Sequence, residues 1–388
     1  MRVYLDHAST TPMVPAAVEA MLPYLTGAFG NPSGSHAESR QARRAVDDAR
    51  EQMAVLLGDG SADLVFTSGG TEADNLAVVG GWGGVVSSGA WAGSAPPAVV
   101  CSAMEHHAVL NTCRALARRA GAELREVATT KEGIVDLEAI VEACTAEVGL
   151  VSVMMVNNEI GTVQPIDEVA AVVRDRSPSA VFHTDAVQAV PWFEVGTRTA
   201  CADLVAISAH KFGGPKGVGA LLIRHGAAVG PLVHGGGQER GRRSGTHNVA
   251  GIVGMAAALA AIDSVRPQHV ERVTAMRDRL GDGLLATVAG LTETAPREQR
   301  TAGHLHLRIA GVESEALVVA LDRAGVAASA GAACSSGAVE VSHVLRSMGL
   351  GHDEAAGGIR FSLGWGTTEA EIDQVLCVVP DVVAQLRD

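Results

Sequence analysis

The chain has 388 residues, 47% of them apolar and only 3% aromatic, and a formal net charge of −13. That length exceeds one typical core, and the apolar share is ample for a large interior built from Ala, Val, Leu and Ile. The acidic balance argues against direct nucleic-acid or anionic-membrane binding as the main task, and the 45 glycines follow no collagen-like period.

The opening residues, MRVYLDHASTTP, contain no apolar segment of the kind that drives secretion. Two amphipathic helices are predicted next, over 12–25 and 36–57. The second carries a dense charge run (SRQARRAVDDAREQM) that reads as a solvated face. From Leu64 onward, short apolar runs alternate with helical patterns. Strands are predicted at 64–66, 99–102, 150–156, 181–184, 204–207 and 218–223. Helices are predicted between them at 71–79, 107–120, 137–147 and 166–175. Near-continuous apolar strands separated by helices indicate an α/β fold with a mostly parallel sheet covered on both faces. The Gly/Ser/Ala/Pro-rich stretch 80–97 reads as a surface loop. The weakly polar stretch 249–262 is shorter than the about 20 apolar residues of a bilayer span. It reads instead as the start of a buried helix running from about 248 to 286. The expected organisation is a large domain over 1–255 and a smaller C-terminal domain over 256–388, in which the long helix bridges into an α+β unit covering roughly 303–388. The N-terminal strip should pack near their junction. A cytoplasmic protein is expected.

Six cysteines occur, with no CxxC pair and no zinc or iron–sulfur spacing. Five sit in apolar or helical contexts and read as small core residues. Cys334 differs: its surroundings, ASAGAACSSGAVE, are small and offer no apolar anchor.

Only three lysines are present, Lys131, Lys211 and Lys216, among 30 basic residues. Arginine carries charge but does not deprotonate in proteins, so it cannot act as a neutral amine. A position that keeps lysine in such a composition suggests a nucleophilic role, most plainly an imine with a carbonyl cofactor. A lysine in a surface turn is the plain alternative.

Five short motifs fall where such a cofactor would need them. TSGGTEADN (67–75) follows a predicted strand and opens a helix, so Gly70 and Thr71 lie where backbone N–H groups and the helix N-terminus favour an anion. EHHAV (105–109) places His106 at a helix start, suited to stacking or proton transfer. VNNEIG (156–161) places Asn158 beyond an apolar strand. HTDAVQ (183–188) offers Asp185, a carboxylate able to hold a protonated ring nitrogen or to cap a helix, and Gln188 three residues on. SAHK (208–211) offers Ser208 and His210 as phosphate donors beside the Lys211 amine. Each motif also fits an ordinary turn. Four of them, however, sit at strand ends, where open α/β sheets bind ligands. Together they supply what pyridoxal 5'-phosphate asks of a protein: a phosphate cradle, a pyridinium partner and an imine-forming lysine.

The chain resembles the cysteine desulfurases, pyridoxal-phosphate enzymes of aminotransferase class V and fold type I. The matching strings are YLDHASTTP, FGNPSGSH, FTSGGTEADN, EHHAV, VNNEIG, HTDAVQ, SAHKFGGPKGVG, HGGGQERGRRSGT, SAGAACSSG and IRFSLG, in the family's order from Tyr4 to Gly364. The resemblance implies that Lys211 carries the cofactor, that His106 stacks over its ring, and that Asp185 pairs with the ring nitrogen. Gln188 would meet the ring hydroxyl, and Thr71, Ser208 and His210 the phosphate. Thr246 would reach the phosphate of a partner subunit in a homodimer. Asn158 and Arg360 would take the carboxylate of L-cysteine, a task the planar Arg fork suits. Cys334 would carry sulfur as a persulfide to an acceptor protein, on an arm reaching to His343 as in the longer-loop branch. A thiolate is needed for that attack. The segment AGHLHLRI (302–309) departs from the family's Pro-Asn pattern, so His304 and His306 receive no role. A selenocysteine lyase, another enzyme of the same fold and a non-catalytic sulfur-relay scaffold are the rival readings. The acceptor pathway stays open between iron–sulfur assembly, tRNA thiolation, DNA phosphorothioation and thio-cofactor synthesis.

Overall fold

The structure, a computed structural model, describes residues 2–58, 63–89, 91, 93, 95–330 and 341–388. In chain order its strands are β1 (Val3–Tyr4), β2 (Asp63–Thr67), β3 (Ala98–Ser102), β4 (Leu124–Val127), β5 (Val148–Ser152), β6 (Val181–Asp185), β7 (Leu204–Ser208), β8 (Gly219–Ile223), β9 (Leu291–Glu293), β10 (His304–Ile309), β11 (Val326–Ala327) and β12 (Gly358–Ser362). Seven of them form one sheet in the order β2-β8-β7-β6-β5-β3-β4. β8 runs antiparallel to both neighbours, and the remaining pairs are parallel.

The strand sequences explain this sheet. Every residue of β3, β5, β6, β7 and β8 is buried, as strands covered on both faces must be. Successive side chains enter opposite cores: Leu204 and Ala206 pack on one face, Val205 and Ile207 on the other. The α/β expectation therefore holds. Expected strands 64–66, 99–102, 181–184, 204–207 and 218–223 fall within a residue or two of β2, β3, β6, β7 and β8.

A second sheet, β12-β10-β9, is antiparallel. It shares a separate core with Val3, Leu5 and the C-terminal helix Glu369–Arg387. The helix Val249–Thr287 links the two. Its early residues Met255, Leu259 and Ile262 pack in the large-sheet core, and Val273, Met276, Leu280 and Leu284 in the second. The expected 255/256 boundary lies on this helix. β1 pairs in parallel with β11, and Asp6 bridges to Ser362, so the N-terminal strip joins the smaller sheet.

Three expectations need correction. The stretch 80–97 is not simply a surface loop: Gly81–Ser87 is helical, with Gly81, Gly84 and Val85 buried. Glycine is needed there for close approach, because a Cβ on Gly84 would collide with the Ala228 carbonyl. Second, β5 ends at Ser152, although the apolar run continues to Val156. Val153 to Val156 stay buried beyond the end of the strand, and the Val153 and Met155 amides still donate to the β6 carbonyls of His183 and Asp185. Third, the helix beginning at 249 runs 39 residues, long and apolar enough for a bilayer; 61% of its most apolar window is buried inside the protein, as in a core helix. Of the cysteines, Cys101, Cys113 and Cys144 are buried, whereas Cys377 is exposed.

Candidate active site

Parallel strands present their carboxyl ends along one edge of the sheet, and the chain leaves each strand there through a short turn. Gly70 and Thr71 follow β2, His106 follows β3, Asn158 follows β5, Asp185 ends β6 and Lys211 follows β7. These turns enclose a pocket of about 510 Å³ whose lining includes Gly70, Thr71, His106, Asn158, Asp185, Gln188, Ser208, His210 and Lys211. That size suits a small organic cofactor. Nine of the twelve residues singled out from the sequence thus meet in one cavity.

Lys211 Nζ donates to the backbone carbonyls of Ala8 at 2.6 Å and Ser9 at 2.9 Å. The N-terminal strip therefore holds the amine in place at the pocket. Gln188 Nε2 donates to the same Ala8 carbonyl at 2.8 Å. Asp185 is buried, and its Oδ1 accepts the Val187 N–H at 2.8 Å. No helix begins there, so the capping alternative falls away. Burial pushes the Asp185 carboxyl up to about 6, against the pull of the Val187 amide and Lys211. It is a carboxylate above that pH, free to hold a cation.

His106 caps the helix His107–Ala120, and its Nδ1 accepts the Ala108 N–H at 3.1 Å. Burial and then Lys211 lower its pKa to about 4. The ring is neutral at physiological pH, with its hydrogen on Nε2. His107 instead stacks on His343 at 4.6 Å, and His343 Nε2 lies 2.9 Å from the Glu105 carbonyl. The chain following the cysteine-bearing segment is thereby fixed beside the turn that carries His106.

Arg360 does not line the pocket but stands one bond behind it. Nη1 donates to the Asn158 carbonyl at 2.6 Å, and Nη2 to Asp6 at 2.7 Å and Ser9 Oγ at 2.8 Å. Thr246 is exposed and outside the pocket. Its neighbour Arg243 pairs with the pocket residue Glu72 at 2.7 Å, which brings that segment to the rim. Arg240 and Arg242 both pair with Asp63. Cys334 lies outside the described residues.

The residues present fit a pyridoxal phosphate. Ser208 Oγ is buried with no hydrogen-bond partner, as a phosphate donor awaiting its acceptor would be. Gly70 leaves room beside it, since a Cβ there would press on Val187 and Ser208. His210 Nδ1 is 3.2 Å from Thr10 Oγ1, and burial lowers its pKa to about 4.

The aminotransferase class-V family profile matches residues 3–375. A cysteine desulfurase of Nostoc sp. (strain PCC 7120) is 41% identical over 386 residues, covering 99% of this chain and 94% of that protein. This chain belongs to the cysteine desulfurase family. Among solved structures, a NifS-like protein superposes with a TM-score of 0.90 at 32% identity over 100% of both chains. SspA in complex with cysteine follows with 0.79 at 29% identity, over 94% of this chain and 99% of its own. The family's fold accounts for the strand-end convergence described above.

Sequence reasoning missed several residues of this site. Asp6 and Ser9, which hold Arg360, lie within the YLDHASTTP string but have no local signal. Thr10, Asp74 and Met154 also line the pocket. Asp74 sits one helical turn after Gly70, a spacing that could have placed it on the pocket face.

Proposed function

We propose that this protein is a pyridoxal-phosphate-dependent cysteine desulfurase, converting L-cysteine to L-alanine and passing the sulfur to Cys334 as a persulfide. The convergence of Lys211, Asp185 and His106 in one cavity is the observation that carries this reading. Family membership at 41% identity supports it, as does the cysteine complex of SspA.

When bound, pyridoxal phosphate supplies an electron sink for chemistry at an amino acid's α-carbon. The protein's own groups divide the remaining work. Lys211 would hold the cofactor through its amine, and as a free amine it would be able to move a proton within the pocket. Asp185 holds the ring nitrogen in its protonated form. His106, neutral and half-enclosed, would stack on the ring and offer its Nε2 hydrogen. Gly70, Thr71, Ser208 and His210 take the phosphate, Gln188 the ring hydroxyl. Asn158, in the pocket wall, and Arg360, bonded to its carbonyl from behind that wall, would take the substrate carboxylate. The Cys334 thiolate attacks the substrate sulfur. The carbon–sulfur bond breaks, its electron pair stays on the alanine framework and is quenched by a proton, and a sulfur–sulfur bond remains on Cys334. Alanine leaves, and the terminal sulfur passes to an acceptor protein.

Thr246, exposed at the rim beside the Arg243–Glu72 pair, supports a homodimer in which it serves the neighbouring site. The acidic charge and buried long helix fit a cytoplasmic protein acting without nucleic acid or membrane. Iron–sulfur cluster assembly is one destination for the sulfur. The purified protein, given pyridoxal phosphate, L-cysteine and a reductant, should yield alanine and sulfide in equal amounts. Selenocysteine as the sole productive substrate, or transamination of a keto acid, would replace this reading with one of its rivals.

A further inference from the structure

Behind Asp185 lies a second carboxyl group that none of the assigned roles uses. Asp74 sits on the short helix Gly70–Asn75 and lines the same pocket. It is 1% exposed, and its Oδ1 has no hydrogen-bond partner. A carboxyl oxygen of Asp74, one of Asp185 and a ring nitrogen of His106 all lie within 4.8 Å of one another. Two carboxylates so close and so dry cannot both be ionised. The surroundings decide which one keeps a proton. Asp185 has the Val187 amide and the Lys211 charge on its side. Asp74 faces His183, whose Nε2 is 3.7 Å from Oδ1, and the buried Glu105 beyond it. His183 is fully buried, its Nδ1 is 2.9 Å from Ser152 Oγ, and burial lowers its pKa to about 3, so it brings no charge. The other titratable groups of the pocket lie elsewhere: Glu72 of the same helix is paired with Arg243, and Lys216 and the neutral His210 line the pocket from the loops around β7 and β8. Burial, Asp185 and Glu105 all raise the Asp74 carboxyl well above the usual range.

We propose that Asp74 is a positioning residue for Asp185, kept as a neutral carboxylic acid whose hydrogen faces the Asp185 carboxylate. The pair then carries one negative charge in all, and that charge rests on Asp185. On its other side Asp74 meets only the neutral His183 ring, 3.7 Å away and beyond hydrogen-bond distance, so no other group competes for this hydrogen. The inference rests on the reading of Asp185 as the partner of the cofactor's ring nitrogen.

The test uses the full-length protein freed of cofactor, with Asp74→Asn and Asp74→Ala beside it. Infrared spectra at pH 8 read the neutral acid directly. A carboxylic-acid band in the parent, diminished in Asp74→Asn, is expected. Its absence from the parent, or an unchanged band in the variant, overturns the proposal, and the parent measurement requires no variant to fold. The pH dependence of pyridoxal-phosphate binding reads the consequence, because Asp185 loses its charge as pH falls through about 6. The near-isosteric, neutral Asn should leave that midpoint in place, whereas Ala, which removes the donor, should raise it by roughly one unit. A midpoint lowered by about one unit in Asp74→Asn would mean that Asp74 carried charge, and would overturn the proposal. Identical midpoints for parent, Asn and Ala would overturn it too. If the parent fails to bind pyridoxal phosphate at all, the assignment of Asp185 fails while the infrared band still judges Asp74.

Discussion

Arg360 and Asp6 form a 2.7 Å ion pair that ties the last strand of the small sheet to the N-terminal strip. The arginine side chain is only 3% exposed. Ser9 Oγ and the Asn158 carbonyl take two further hydrogen bonds from the same guanidinium. A fork held on three sides is already oriented before a substrate carboxylate arrives, and little rotamer entropy remains to be lost on binding. Arg360→Lys keeps the charge but loses the fork. Steady-state kinetics should give a kcat/KM for L-cysteine lowered by about 100-fold, with the affinity for pyridoxal phosphate unchanged. Asp6→Asn should raise KM by a smaller factor. Equal loss of cofactor binding in Arg360→Lys would place this arginine in structural support instead.

Buried histidines set the acid limit of the fold. Burial lowers the pKa of His7, His106, His210 and His269 to about 4, and of His183, His304 and His306 to about 3. In the unfolded chain each titrates near 6.5. Between those values the unfolded state binds the extra protons, so stability rises with pH through that window and is lost as pH falls. Asp74, Glu105, Glu159 and Asp185 have raised carboxyls and act in the opposite sense, so a melting curve reads the net of the two sets. Thermal melting of the apoprotein should occur at lower temperature at pH 5 than at pH 7. A higher melting temperature at pH 5 would refute the neutral state of these rings.

Cys334 should be needed for sulfur release and not for cofactor binding. Cys334→Ala is expected to keep the visible colour of bound pyridoxal phosphate and to form no sulfide from L-cysteine. Sulfide release at the parent rate would remove Cys334 from the reaction.

Gly84 carries a stability prediction that touches no site residue. An added methyl would meet the Ala228 carbonyl oxygen and carbon, both of them backbone atoms that cannot swing away. Gly84→Ala should cost about 1–3 kcal/mol, as overpacking typically does. Denaturant unfolding should read that loss, and the holoprotein should still bind cofactor. Unchanged stability would mean that the two backbone segments part easily.

The apolar runs made the central sheet legible, because strands covered on both faces leave no polar gaps. They misled about where the strand ends: Val153 to Val156 are as dry as the strand before them but lie beyond it. β4, with its sequence LREV at the sheet edge, was missed because an edge strand need not be apolar. The helix Gly81–Ser87 was hidden by its glycines, of which Gly84 serves close contact with Ala228 and Gly81 with the sheet residue Leu204. Lys211, Asp185 and His106 stood out: Asp185 ends a strand, His106 caps a helix and Lys211, one of only three lysines, follows a strand, each within a readable motif. Asp74, Asp6 and Ser9 did not, since their importance comes from partners more than 100 residues away in the chain, which only the fold brings together.

The most direct measurement is reduction of the pyridoxal-phosphate-loaded protein with borohydride, followed by peptide mass spectrometry. A pyridoxyl phosphate mass fixed on Lys211, and absent from Lys131 and Lys216, is the predicted result. A protein that takes up no pyridoxal phosphate, or carries the label on another lysine, would contradict the account.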